Sequence, residues 1–399
     1  MLPKHPDQYA DEELETWIRH LVDERVSEGP RLDYKETINL RDDKREAAKD
    51  ISSFANEIGG TVIYGIPEDR QSAETAIPCK PYGIDSVPDF ESRLENIYVD
   101  SISPSLPEWR IRKVDLTEYP GKVVYIVWTP ESCLGPHMVQ AYEDKRYYRR
   151  GQLRAVPMDE HELRVRYERT RNVERAVEDF LNSPQLDYIR QYFAGKDFVS
   201  HYAACPALLA AEIVDFTTPD MKSWLGKNRY ISMSWFDTQT SEDWSHSAYG
   251  VRTKFVGEHL WVEIHRNGAI SHWEESSVRP DEEKCKLLYL EELKAIEGFL
   301  QFSFNFYQKL SYFGALRFRV RIENKNNQTL FLNRPSLTFR SPEPLLITHD
   351  GNLSIDFLAS GSELFENPNT ILKQIGDRMF RAFGVENADC FDSELNLRK

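Results

Sequence analysis

The sequence is short of several things, and each shortage removes a class of function. Its 399 residues contain five cysteines, Cys79, Cys133, Cys205, Cys285 and Cys390, with no C-x-x-C pair and no histidine at zinc-finger spacing. Neither a structural zinc nor a disulfide framework is expected. The start, M-L-P-K-H-P-D-Q, has no apolar run, and no stretch reaches the ~18 to 20 apolar residues of a membrane span. The expected setting is a reducing cytoplasm without membrane contact. No G-x-x-x-x-G-K-[ST] occurs, and Gly59, Gly60 and Gly65 flank a strand rather than open a helix. Nucleotide binding is not expected. Internal repeats and low-complexity tracts are also missing.

Positive charge is the other deficit. With 50 Lys and Arg against 65 Asp and Glu, the formal charge is -15, so the overall field does not attract polyanions. A nucleic-acid function would need a local basic patch.

Apolar material, by contrast, is ample: hydrophobic residues make up 40% and aromatics 12% of the chain. That is enough to bury more than one core, and two domains are expected at this length. Leu14, Trp17, Ile18, Leu21 and Val22 paint one face of a helix after Asp11 as N-cap. Arg31 to Glu36 alternates, and as a strand would turn Leu32 and Tyr34 inward and put Asp33 and Lys35 on the opposite face. Ala47, Ile51, Phe54, Ala55 and Ile58 mark a second helix, stopped at Gly59-Gly60. Thr61 to Ile66 is a buried strand that exits at Pro67-Glu68. A helix over 88–104 and strands near 109–115 and 122–129 follow, then K-R-Y-Y-R-R-G-Q-L-R, where cations and aromatics mix. From Met158 to about Phe193 one helix is expected. Beyond it, Asn267-Gly268 marks a hairpin, 286–310 a long aromatic helix, 315–323 an alternating strand and 367–383 a final helix.

Three carboxylates stand at the hinges of the N-terminal segment: Glu28 before the first strand, Asp33 within it, and Glu68 after the strand that follows Gly60. Carboxylates brought together repel, and the usual remedies are a divalent cation, an Arg or Lys, or a shared proton. An oxygen-only set favours Mg²⁺ or Mn²⁺, which can polarise a phosphodiester and activate water. Lys35 would stabilise charge on the phosphate. The competing reading is a solvated strand face with an ion pair. His137 is read as a structural histidine in a turn and Asn56 as an amide bonding backbone. His265 and His272, flanking the hairpin, are read as a surface pair, and His201, His246 and His259 are assigned no role.

The assembly of Glu28, Asp33-Tyr34-Lys35, S-F-A-N-E-I-G-G-T-V-I-Y-G-I-P-E, G-P-H-M and Y-Y-R-R-G closely resembles the Schlafen-type, AlbA-like domain. The corresponding family pattern is E-x4-E-F-K, A-F-A-N-T-x-G-G, an apolar strand and G-V-x-D. The resemblance spans roughly residues 10–168, and F-A-N-x-x-G-G is its most specific part. It implies that Glu28, Asp33 and Glu68 sit where nuclease-active Schlafens hold a catalytic metal site that cuts tRNA and rRNA. Asp33 stands where the family has Glu, and Glu68 where it has Asp; each shift moves a carboxylate by about one methylene.

The fold expected is α+β: residues 1–168 an AlbA-like domain with a mixed sheet and flanking helices, 169–196 a connecting helix, and 197–399 a second α+β domain that regulates or oligomerises. The function expected is that of a divalent-metal-dependent endoribonuclease acting on structured RNA such as tRNA, which by resemblance fits a role in anti-phage defence. Glu28, Asp33, Glu68 and Lys35 would be catalytic, the first three holding Mg²⁺ or Mn²⁺. Lys145, Arg146, Tyr148, Arg149, Arg150 and Arg154 would hold the nucleic acid. Two alternatives stay open: a regulator that binds DNA or RNA without cutting it, and a scaffold or ligand sensor acting through its second half. That half carries Trp224, Trp235, Trp244, Trp261 and Trp273, some of which would be exposed at an interface. A homo-oligomer is expected.

Overall fold

In a computed structural model, the structure describes residues 6–37, 39–40, 42–69, 76–183, 186–208, 213–228, 230–234, 237–240, 243–254, 260–281, 284–334 and 345–398. The chain is α+β and divides into two compact units, Met1–Val173 with Ser311–Gly314, and Glu174–Leu310 with Ala315–Lys399.

The first unit begins with α1 (Asp11–Asp23), whose Leu14, Ile18, Leu21 and Val22 are buried at helical spacing. Ala10, not Asp11, precedes the helix as its N-cap. Next come β1 (Leu32–Lys35), α2 (Lys44–Ala55) and β2 (Gly60–Tyr64), with β1 parallel to β2. The remaining elements are β3 (Ile84–Asp85), α3 (Phe90–Ser101), β4 (Ile102–Ser103), β5 (Arg110–Asp115), β6 (Lys122–Thr129), β7 (Met138–Val139), β8 (Arg146–Arg150), β9 (Ala155–Pro157) and α4 (Glu160–Arg171). One mixed sheet runs β1-β2-β6-β3 with β5 also on β6, and a second runs β4-β7-β8-β9. K-V-V-Y-I-V-W-T forms β6 and is buried along almost its whole length, as a strand covered on both faces must be.

The core of this unit lies around α2. Ala47, Ala48, Ile51 and Phe54 pack with Val62 and Tyr64 of β2, Tyr125 and Val127 of β6, Leu94 of α3 and Tyr148 of β8. Gly60 is required at that spot, because a Cβ there would fall 2.2 Å from the Phe54 ring. Asn56 ties the layers together: its amide donates to the carbonyls of His137 (3.0 Å) and Tyr148 (2.8 Å), and its oxygen accepts from the His137 N–H at 2.7 Å. His137 is fully buried, with Nδ1 2.7 Å from the Pro104 carbonyl and Nε2 2.7 Å from the Ser132 hydroxyl. Burial lowers its pKa, so it is held neutral in a structural place.

Three helices stand where the sequence pattern suggested one: α4, then α5 (Val173–Leu181) and α6 (Asp187–Tyr192). The helical periodicity does persist over these residues, but Asn172 caps α4 and Ser183 accepts from the turn before α6.

The second unit continues with β10 (Phe198–Pro206), α7 (Pro219–Lys227), β11 (Ile231–Ser234), β12 (Asp237–Thr240), β13 (Ser245–His246), β14 (Gly250–Lys254), β15 (Leu260–His265), β16 (Ile270–Glu275), β17 (Val278–Asp281), β18 (Lys284–Leu287), α8 (Tyr289–Lys309), β19 (Leu316–Asn324), β20 (Thr329–Arg334), β21 (Leu345–Asp350), β22 (Leu353–Ala359), α9 (Gly361–Glu366) and α10 (Pro368–Ala382). Its main sheet has the order β13-β14-β15-β16-β10-β19-β22. The alternation L-R-F-R-V-R-I in β19 buries Leu316, Phe318, Val320 and Ile322 and turns the arginines the other way, Arg319 meeting Asp356 at 2.6 Å.

His265 and His272 are both buried, not a surface pair, and they lie on opposite faces of the β15–β16 hairpin: Val262 opposes His272, while His265 shares the alternate face with Trp261 and Glu263. The tryptophans are not displayed either. Trp273 is buried and stacks on His201, and Trp224, Trp244 and Trp261 are half-buried against aromatic neighbours. Trp235 and His259 lie outside the described residues.

A polar chain crosses the interior of this unit. The Tyr202 hydroxyl lies 2.7 Å from one oxygen of Glu274 and 2.7 Å from one of Glu292. A hydroxyl has one proton to give, so one of the two carboxyls must supply the other. Burial, then the charge of Glu274, raises the pKa of Glu292 to about 7, which marks it as the proton carrier.

Candidate functional site

The β1-α2-β2 crossover brings the acidic residues together. In the parallel register Asp33 pairs with Val62 and Lys35 with Tyr64, so both side chains lie on the face that α2 covers. The strand is therefore buried on both faces, Leu32 and Tyr34 on one and Asp33 on the other; a half-solvated strand does not form.

Asp33 is almost fully buried and doubly compensated. One oxygen accepts from the Arg150 guanidinium at 2.9 Å, and the other meets the Lys35 ammonium. Arg150 arrives from the second sheet, passes over the Phe54 ring at 4.7 Å, and also donates to the Leu32 carbonyl at 3.2 Å. Glu28 is buried too, and its Oε1 accepts from the Tyr34 N–H at 2.8 Å. Glu68 sits in an exposed bridge opposite Pro78 and adds its negative charge to the field on Glu28.

A fourth carboxylate completes the cluster. Asp50 of α2 is buried, with one oxygen 3.7 Å from the Lys35 ammonium and the other 4.0 Å from that of Lys49. Asp50 is not among the residues expected at the site, although the sequence carries a signal for it: it lies in the stripe of Ala47, Ile51 and Phe54, where an apolar residue belongs.

These charges are not balanced. Burial, then the charge of Asp33, raises the pKa of Glu28 to about 7, although the Tyr34 N–H and Lys35 pull it down. Asp50 is likewise raised to about 7, first by burial and then by Asp33, against the pull of Lys35 and Lys49. Burial works against the Lys35 ammonium, but Asp50, Asp33 and Glu28 outweigh it and raise its pKa. Lys35 is a third exposed, so the cluster reaches solvent beside it.

The carboxylate oxygens are of the type that Mg²⁺ or Mn²⁺ takes, but their arrangement does not fit such an ion as it stands. Arg150 and Lys35 occupy both oxygens of Asp33, and among the described residues no three or more His, Cys, Asp or Glu side chains are grouped to hold a metal.

The residues expected to hold nucleic acid divide into two sets. Tyr148 and Arg150 point inward, which corrects their reading as nucleic-acid contacts: alternate residues of β8 face α2, where the Tyr148 hydroxyl donates to Asp144 at 2.7 Å and accepts from Arg45 at 3.0 Å. Lys145, Arg146 and Arg154 are exposed, and Arg149 turns outward to Glu162 of α4 at 2.5 Å.

Residues 28–158 match the family model described as Schlafen, AlbA_2, so the first unit carries a domain of that family, over about a third of the chain. No curated protein matches the chain. Among solved structures, the DIP2311 protein of Corynebacterium diphtheriae aligns at 16% identity over 37% of this chain and 27% of its own length, with a TM-score of 0.25. The N-terminal domain of a RecG-related protein from Nitrosomonas europaea aligns at 18% identity over 39% of this chain and 97% of its own, also at 0.25. The chain thus spans about a quarter of the length of the first of these. The domain match supports a function connected with nucleic acid. Among the described residues no helix is long and apolar enough to cross a membrane.

Proposed function

We propose that the first unit binds RNA and cleaves its phosphodiester backbone at the cluster of Glu28, Asp33, Lys35, Asp50 and Glu68, with structured RNA such as tRNA as the substrate class. The observation that carries this reading is the pair of carboxylates, Glu28 and Asp50, raised to about 7 around one partly exposed lysine. A purely structural ion-pair network has no use for two extra buried carboxylates whose charge costs stability. A carboxyl near neutrality can take a proton from an attacking hydroxyl and return one to a leaving oxygen. Lys35 offers a positive charge to the phosphate as negative charge builds there.

Metal dependence is the finer part of the proposal. The ion pairs of Asp33 do not favour it, so no step is assigned to an ion. Incubating the protein with tRNA in Mg²⁺, Mn²⁺ and EDTA tests both parts at once. Fragments in any of the three support cleavage, and their loss in EDTA alone identifies the metal requirement. Intact tRNA in all three removes the nuclease reading.

A second reading, a regulator that binds without cutting, is favoured by one observation: Asp33 is saturated by Arg150 and Lys35 as a structural anion would be. It predicts metal-independent binding that survives Asp33→Asn.

A further inference from the structure

Helix α4 begins after the matched family segment ends at residue 158, and core packing does not explain it. Its twelve residues include a single buried side chain, that of Arg166. Arg166 lies 3.4 Å and Arg169 3.1 Å from the same oxygen of Glu131, and Arg166 donates to the Glu57 carbonyl at 3.3 Å, just past the end of α2. Arg149 of β8 bonds Glu162, and the hydroxyls of Tyr147 and Tyr167 meet at 2.7 Å. Polar contacts of Glu162, Arg166 and Arg169 therefore fix the inner face of α4 to the domain, Tyr167 reaches Tyr147 from its flank, and the remaining face turns to solvent.

That outer face has its own order. Arg164, Tyr167, Glu168 and Arg171 follow one another at i, i+3, i+4 and i+7, all exposed, along a shallow groove of about 510 Å³ that Leu163 and Glu160 also line. The surrounding segment reverses the sign of the protein: residues 145–171 hold nine Lys or Arg and four Asp or Glu, in a chain whose net charge is -15. Of those cations, Arg150, Arg149, Arg166 and Arg169 are spent on Asp33, Glu162 and Glu131. Arg146 pairs with Asp144 at 3.5 Å, on the β8 face that carries Tyr148, and Lys145, Arg154, Arg164 and Arg171 remain on the surface.

We propose that the outer face of α4, with Tyr147 of β8 and the β8–β9 turn, is the surface that holds a single-stranded stretch of nucleic acid, Tyr167 and Tyr147 stacking on bases while Arg164 and Arg171 meet phosphates. The proposal rests on the reading of this unit as RNA-binding and extends its interface beyond the family segment. Charge complementarity selects a polyanion, and paired aromatic faces among the cations select one that carries bases. Glu168 and Glu160 oppose the field locally and keep the site from being a general anion trap.

The test is fluorescence anisotropy of the full chain with a labelled single-stranded 20-nucleotide RNA and with tRNA, in EDTA, across a salt series. Arg164→Gln with Arg171→Gln should weaken binding at least about tenfold near physiological salt and reduce the slope of log affinity against log salt by about 1.4, the release expected for two phosphate contacts on a single strand. Tyr167→Ala should lose about five- to a hundredfold, and Tyr167→Phe should restore most of it, because stacking needs the ring and not the hydroxyl. Wild-type affinity in these variants overturns the α4 surface while leaving the RNA-binding reading intact. Competition by polyglutamate as effective as that by RNA overturns the nucleic-acid assignment. A wild type that binds neither RNA removes both. Loss of binding in the variants of a protein that never cleaves RNA supports the surface and removes only the nuclease reading.

Discussion

The ion pair between Arg150 and Asp33 separates a structural arginine from an RNA contact, and Arg150→Met is the perturbation that reads it. The two side chains are 1% and 2% exposed and 2.9 Å apart. At an effective dielectric of about 20 their attraction is on the order of 5 kcal/mol, and removing one partner of a buried pair typically costs about 3 to 5 kcal/mol because the other is left uncompensated. Lys35 still reaches the second oxygen of Asp33, which places the expected loss near the lower end, about 3 kcal/mol. The assay is native-state hydrogen exchange of the buried β6 amides across a urea series, which reports on this unit. Adding Asp33→Asn to Arg150→Met should recover a large share of the loss, since the stranded charge is gone. RNA affinity per folded molecule should not change. A variant within about 0.5 kcal/mol of the wild type that has nevertheless lost RNA affinity would refute the reasoning, because that is how an exposed contact behaves.

Other consequences are equally direct. The carboxyl of Asp50 keeps its proton up to about 7 in the folded unit and releases it far earlier when unfolded. The folded state therefore binds more protons between those values, and stability falls as pH rises through about 7, at most by about 1.4 kcal/mol per pH unit. Asp50→Asn should flatten that fall between pH 5 and pH 8 in denaturation of the first unit. Glu292→Gln should do the same in the second unit, because a Gln amide can donate to the Tyr202 oxygen and its carbonyl can accept from the Ser277 N–H as the protonated acid does. A pH dependence unchanged from wild type would show that Glu292 does not carry the proton. Asn56→Ala removes three buried hydrogen bonds and should cost about 2 to 3 kcal/mol, measured by the same exchange series; a cost below about 0.5 kcal/mol would mean that His137 and Tyr148 are positioned without it.

Local signals carried far in this sequence. The run K-V-V-Y-I-V-W-T became β6, the stripe from Ala47 became α2 as far as Ala55, with Ile58 falling past its end and exposed, and L-R-F-R-V-R-I became the alternating strand β19. What stayed hidden depended on contacts distant along the chain. Arg150 and Asp33 are 117 residues apart, and only the folded position of β8 shows that the arginine turns inward. Asp50 stayed hidden for a related reason: a lone carboxylate within an apolar stripe shows no role until its partner Lys35 on the neighbouring strand is known. The hairpin at Asn267-Gly268 was legible, but the faces of His265 and His272 follow from pairing register, which composition does not fix. Of the proposed site, the family pattern led to Glu28, Asp33, Lys35 and Glu68; α4 lay beyond that pattern and emerged only from the packing of Arg166 and Arg169 on Glu131.

The central claim is that the acidic cluster of the first unit performs phosphodiester chemistry on RNA, and the pH–rate profile of tRNA cleavage tests it most directly. Wild type should be compared with Glu28→Gln and with Glu68→Gln, both of which leave the Arg150–Asp33 pair in place. The account predicts cleavage by the wild type that rises through a pH of about 7 as Glu28 loses its proton, with Glu28→Gln inactive although folded. Undamaged tRNA at every pH, with wild type and Glu28→Gln binding it equally, would contradict the claim and leave a protein that holds nucleic acid without cutting it.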